Sequence, residues 1–161
     1  MEVIFLDNAA TTPLEPRVKD EMVRMMENFG NPSSTHFSGR SAKVEVEVVR
    51  KRIAQRLEAE PGEIFFTSGG TEADNMALFC SVRDLGVKRI ITTTIEHHAV
   101  AHPVEFMVER CEVEAVYLSV NEFGDIELAE LEALLKDGPK TLVSLMPVSY
   151  THLTLPTIVG V

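Results

Sequence analysis

Tryptophan is absent from these 161 residues, and tyrosine and cysteine each occur only twice. Two cysteines exclude a disulfide framework, and Cys80 and Cys111, 31 positions apart, lack metal-type spacing. Both sit in apolar-periodic or strand-like surroundings, so buried, reduced thiols are expected. Positive charge is also scarce. Lys and Arg number 15 against 25 Asp and Glu, a net charge of −10, and no Lys/Arg-rich run occurs. That balance argues against nucleic acid as a partner. No apolar run has the length of a membrane span and no basic-then-apolar leader is present, so no membrane partner and a cytoplasmic location are expected. The remainder, 45% apolar and 25% charged, suits a globular chain long enough for one domain with a core.

A further absence is local. Residues 147–161 contain no Asp, Glu, Lys or Arg, although 40 such residues precede them. At about one charge per four positions, this has a chance of roughly 1 in 100. The stretch has no helical period and places Pro147 where a strand should continue. It reads either as a buried edge strand or, the expectation adopted here, as a foreign or frameshifted segment.

Among the features present, residues 63–75 are the most informative. Ile64, Phe65 and Phe66 form a short apolar run, Thr67-Ser68-Gly69-Gly70-Thr71 follows, and a helical pattern starts at once. That order predicts strand, glycine turn and helix N-terminus. The first turn of a helix carries unpaired N–H groups and partial positive charge, which together can hold an anion such as phosphate. Gly-Gly turns of this kind also occur in α/β proteins with no ligand there, and the glycines alone do not decide between the two.

In chain order, Val3–Leu6 predicts an extended arm and residues 7–13 a loop. Pro16 opens a helix whose Val18, Met22, Met25, Met26 and Phe29 form an apolar stripe expected in the core, with Gly30 as its stop. Residues 30–36 have turn composition, either a plain connector or a loop lining a site. A second helix spans about 38–58, with Ala42, Val46, Val49, Ile53 and Leu57 on one face. The third, after Thr71, ends at Gly86. Strands are expected at 89–94, 114–119 and 141–146, with a helical piece after His98 to about Glu109, interrupted by Pro103, and a helix at 126–135. Alternating strands and helices predict an α/β fold with a mostly parallel sheet, in which ligands sit at the carboxyl ends of strands. Ser68–Thr71 and Glu96–His98 both fall at such ends. His98 and His102 are four apart, but no glutamate follows the first as zinc hydrolases require, so no metal site is assigned.

Four of these stretches together resemble the class-V pyridoxal phosphate enzymes, and among them the cysteine desulfurases of the NifS/IscS type. They are Leu6 to Pro13, Phe29 to Ser34, Phe66 to Asn75 and Ile95 to Val100. The resemblance covers residues 1–146. It implies a fold-type-I large domain, present in part over 15–146 behind an N-terminal arm at 1–14, and a homodimer. Gly70 and Thr71 would bind the phosphate of pyridoxal 5′-phosphate, while His97 would stack on its ring and take part in proton transfer. Asn8, Asn31 and Ser33 would border the substrate site. In that family the reaction takes sulfur from L-cysteine, leaving alanine and an enzyme persulfide for an acceptor such as an iron–sulfur scaffold.

Departures from the family pattern matter equally. The cofactor lysine of the family follows a histidine, and no His-Lys pair occurs here. The asparagine-bearing loop implied after Met146 is replaced by Pro147 to Tyr150, and neither Cys80 nor Cys111 matches the persulfide cysteine in context. The expectation is a parent desulfurase and a 161-residue chain without turnover. The alternatives are another class-V enzyme, such as a selenocysteine lyase or an aminotransferase, and a non-catalytic binding module. Ending a parallel sheet partway leaves apolar faces and an open edge uncovered. Expressed alone, the chain should therefore associate as concentration rises; a monodisperse sample with one sharp melt at high concentration would contradict this.

Overall fold

The computed structural model describes residues 11–111 and 113–146, so the expected arm at Val3–Leu6, Asn8 and the tail 147–161 lie outside the described residues. The chain divides into two compact units, Met1–Phe66 and Thr67–Val161.

The first unit contains α1 (Pro16–Met26), α2 (Phe37–Arg56) and a 3-10 turn, Pro61–Glu63. Glu15 caps α1 by accepting from the Val18 amide at 3.1 Å, and Pro16 occupies the first position, where the missing N–H would have been unpaired anyway. The apolar stripe expected in the core is not buried. Val18 and Met22 are half-exposed, Met26 is 75% exposed, and α1 buries no side chain. A stripe is buried only where another face closes on it; Met25 alone of these residues is part-buried, lining a cavity with Val46 and Val49 of α2. On α2, Ala42 and Ala54 are buried, whereas Val49 and Leu57, expected on the same covered face, are exposed.

The loop between these helices is tied to the start of α2. Asn31 Oδ1 accepts from the Ser33 amide at 2.9 Å, and the Asn31 carbonyl accepts from the Ser34 amide at 2.9 Å. His36 caps α2, its Nδ1 accepting from the Gly39 amide at 3.3 Å. A Cβ on Gly39 would stand 2.6 Å from the Ser34 carbonyl oxygen and 2.7 Å from that of Asn31. Helix and loop thus meet backbone to backbone, a contact only glycine permits.

The strand expected at Ile64–Phe66 does not form. Ile64 is extended, with φ −98° and ψ 118°, but the segment has no ladder partner among the described residues. An extended run becomes a strand only when a neighbour takes its N–H and C=O groups. Here Arg50 Nη1 donates to the Ile64 carbonyl, and the Arg50 guanidinium lies 4.8 Å from the centroid of the Phe66 ring.

The second unit contains α3 (Gly70–Arg83), β1 (Arg89–Thr93), α4 (His98–Arg110), β2 (Glu114–Leu118), α5 (Leu128–Lys136) and β3 (Thr141–Val143). The strands form a parallel sheet in the order β2-β1-β3. Parallel neighbours need long crossovers, which α4 and α5 provide. Ile90 of β1 pairs with Ala115 on one side and Leu142 on the other, and Ile90 and Ile91 are fully buried. Leu78 of α3, Val100, Val104 and Met107 of α4, and Val87 and Val113 close the core around Ile90. Cys80 and Cys111 are free, as expected, but half-buried.

Helix α4 runs unbroken through Pro103, contrary to the interruption expected there. Pro103 has no N–H for the Ala99 carbonyl one turn back. Asn75 of α3 supplies that donor, its Nδ2 lying 3.3 Å from the Ala99 oxygen.

Glu96, between β1 and α4, is only 5% exposed. Its Oε1 accepts from the Met146 amide at 2.8 Å and from the Thr93 hydroxyl at 3.3 Å, joining the chain beyond β3 to the end of β1. Burial raises its pKa above the ordinary 4.5; the Met146 and Thr93 hydrogen bonds oppose that shift, and the Asp74 charge adds to it.

Two outcomes follow from these contacts, both for dilute protein. Gly39→Ala gains about 1 kcal/mol of helix propensity, but overpacking against two carbonyls costs about 1–3 kcal/mol. The net effect is a lower urea midpoint; a raised midpoint would show that the loop gives way. For Glu96, the folded state binds the proton more tightly than the unfolded chain. Its contribution is full below pH 4.5 and is lost as pH rises through the raised value. Glu96→Gln should flatten that decline in urea titrations at stepped pH; profiles as steep as wild type would count against it.

Candidate functional site

At the carboxyl end of β1 the chain passes through Glu96 to His97, the N-cap of α4. His97 has extended backbone, φ −64° and ψ 149°, and its Nδ1 accepts from the Ala99 amide at 3.0 Å. The His97 carbonyl accepts from the Val100 and Ala101 amides at 2.8 and 3.0 Å. Both the residue and its ring are therefore held by the first turn of α4. Because Nδ1 is an acceptor, it carries no proton in this arrangement, and Nε2 is the ring nitrogen left for another partner.

Helix α3 begins differently. Its N-cap is Gly69, and among the described residues no side-chain capping hydrogen bond is made there. A Cβ at Gly69 or Gly70 would meet nothing within 4 Å, so space stands open beside these backbone N–H groups. An anion at this helix end meets unpaired donors and the positive end of the helix dipole. Just before it, Glu72 reaches back to Ser68, accepting from the amide at 2.6 Å and the hydroxyl at 2.7 Å. The backbone bond from Ser68 is the larger cause, and the hydroxyl bond the second, holding the exposed Glu72 carboxyl below its ordinary pKa. Ser68 and Glu72 together fix the turn that presents Gly70 and Thr71.

The two helix starts share one open cleft of about 590 Å³, built within the second unit alone. Thr71, Asn75 and Phe79 of α3 line one side; His97 and the α4 residues His98, His102 and Phe106 line the other. Phe79 and Phe106 meet at 6.0 Å between ring centroids, tilted by 59°, and the His98 and His102 rings stack at 5.0 Å. Among the described residues, no group of three or more His, Cys, Asp or Glu is placed to hold a metal ion.

Thr71 and His97, expected at one site from sequence, line this same cleft, and Gly70 precedes Thr71 as the first residue of α3. Asn31 and Ser33 belong to the first unit, in the loop between α1 and α2, and Asn8 lies outside the described residues. Sequence reasoning assigned no role to Asn75. The available signal was Pro103, since a proline inside a helix leaves the carbonyl four residues earlier seeking a donor. Sequence reasoning also missed the buried carboxyl of Glu96, whose partner Met146 is 50 positions away.

Comparison with known proteins places this geometry in a family. The Aminotransferase class-V profile matches residues 4–155. Cysteine desulfurase IscS of Methanosarcina thermophila is 43% identical over 150 residues, which is 90% of this chain and 36% of that protein. A solved NifS-like protein superposes with a TM-score of 0.78 at 36% identity, over 86% of this chain and 38% of its own. A structure described as SspA in complex with cysteine gives a TM-score of 0.72 at 29% identity, over 85% and 40%. The sheet and its flanking helices are thus part of the α/β domain of these proteins, and the chain spans little more than a third of their length. On the profile match and this fold, the chain belongs to the class-V aminotransferase family.

Proposed function

We propose that this chain carries the phosphate- and ring-binding part of a pyridoxal 5′-phosphate-dependent cysteine desulfurase. One observation carries the reading: Thr71, at the uncapped start of α3, and the His97 ring line one cleft. Gly70 and Thr71 would hold the phosphate through first-turn N–H groups and the Thr71 hydroxyl. The His97 ring would lie against the pyridine face, and its Nε2 would hold or pass the proton, because Nδ1 is taken up by Ala99. The cofactor, when bound, supplies an electron sink for bond cleavage in L-cysteine. Relatives named as cysteine desulfurases, and a neighbour solved with cysteine, support that substrate.

Asn8, Asn31 and Ser33 are proposed to border the substrate. Asn31 Oδ1 accepts from the Ser33 amide, and its amide nitrogen is a donor suited to an acceptor such as a carboxylate. A homodimer, a cytoplasmic setting and an acceptor such as an iron–sulfur scaffold come with the reading from the family resemblance. The division proposed with it is an arm at 1–14, a partial large domain at 15–146 and, on the loss of charge and of the family motifs after Met146, a foreign tail at 147–161, although the class-V profile runs on to residue 155.

The sequence has no His-Lys pair, so binding is proposed to be non-covalent and without turnover. Equilibrium dialysis of dilute protein should show pyridoxal 5′-phosphate bound at least about tenfold more tightly than pyridoxal, since charge-assisted hydrogen bonds contribute about 1.5–3 kcal/mol each. His97→Ala should weaken it several-fold. Borohydride should leave no single stoichiometrically labelled lysine, and no alanine should form from cysteine. Equal affinity for pyridoxal and its phosphate would sink the proposal.

A further inference from the structure

We propose that Asn75 is a positioning residue that sets the gap between the phosphate end and the ring end of the cleft. This rests on the cofactor reading above. Asn75 Nδ2 lies 2.7 Å from the Thr71 carbonyl oxygen and 3.3 Å from that of Ala99. Both partners are acceptors, so the amide nitrogen, with its two hydrogens, is the atom that faces them. Thr71 is the residue placed at the phosphate. Ala99 is the residue whose N–H holds His97 Nδ1 at 3.0 Å. Asn75 therefore closes a chain of contacts from Thr71, through its own amide, to Ala99 and on to the His97 ring.

Pro103 makes this link necessary. In an ordinary helix the Ala99 carbonyl would be occupied by the amide of residue 103. Proline removes that donor, and Ala99 is only 6% exposed, so water is a poor replacement. The open carbonyl binds α4 to α3 at the level of the cleft. A glutamine or a longer donor would set a different separation, and an aspartate of the same shape would present only acceptors to two carbonyl oxygens.

A residue that spaces two subsites affects a ligand touching both more than a ligand touching one. The test compares pyridoxal 5′-phosphate, pyridoxal and inorganic phosphate on the full chain. Asn75→Ala should weaken pyridoxal 5′-phosphate on the order of tenfold, because a small misplacement of one subsite is felt by the spanning ligand. Pyridoxal and inorganic phosphate should change by less than about twofold. Pro103→Ala returns an in-helix donor to Ala99; in that background Asn75→Ala should cost less than about threefold, a coupling between neighbours. Should Asn75→Ala fail to fold, Asn75→Asp carries the same comparison.

An unchanged affinity for pyridoxal 5′-phosphate in the variant overturns the inference, as does an equal loss for all three ligands, which marks a plain brace. If wild type itself does not prefer pyridoxal 5′-phosphate to pyridoxal, the cofactor reading falls, and this inference with it.

Discussion

Strand β1 is hydrogen-bonded along both edges and has no exposed surface at Ile90 or Ile91. A parallel strand in that position cannot return by a tight hairpin; its carboxyl end must run out into a connection that climbs over the sheet. The connection here is only Thr94, Ile95, Glu96 and His97 before α4 begins. That brevity fixes where His97 stands. Glu96 adds a second restraint, because its buried carboxyl takes the Met146 amide from beyond β3 as well as the Thr93 hydroxyl of β1. The ends of two neighbouring strands are held around one carboxyl group, and the first turn of α4 is built directly on it.

The start of α3 depends on a different balance. With no side chain on its cap, its first-turn N–H groups and dipole favour an anion. The Glu72 carboxylate stands in the first turn already, held by two donors from Ser68. Its charge complements the dipole while its bonds to Ser68 shape the turn. On the proposed reading a phosphate at Gly70 and Thr71 would share this helix end with that carboxylate, and like charges at close range disfavour each other. The two Ser68 hydrogen bonds hold Glu72 turned back toward the loop.

Much of this was legible in the sequence because it is local. Helical spacing and caps placed α2 and α3 to within a few residues, and the apolar cores of the three strands stood out between turn residues. The place of His97 followed from strand-end geometry, whereas that of Thr71 beside it followed from the motifs that carry the family resemblance, since no strand forms before Thr71 among the described residues. The misreadings share a cause, which is dependence on a partner elsewhere. Among the described residues Ile64–Phe66 has no strand partner and no side chain of α1 is buried, and Pro103 does not break α4 because Asn75 answers its lost hydrogen bond. None of those three outcomes is written in the segment concerned. The Asn31–Ser34 turn is local too: its turn composition was legible, and the Asn31 side chain bonds within the loop.

On the proposed reading, the phosphate and the ring are held by two helix starts that lie within residues 69–99, on one sheet connection and the helix before it. Covalent attachment needs a lysine brought from a separate part of the chain, and no histidine here is followed by lysine. Binding geometry of this local sort is set by packing already complete in the second unit: Leu78 of α3 and Val100 and Val104 of α4 meet in one core below the cleft. The same core that positions α3 against α4 therefore sets the spacing of Thr71 from His97, and Asn75 links the two helices through the Thr71 and Ala99 carbonyls. The cleft is thus built within the second unit of a chain that spans little more than a third of its relatives' length.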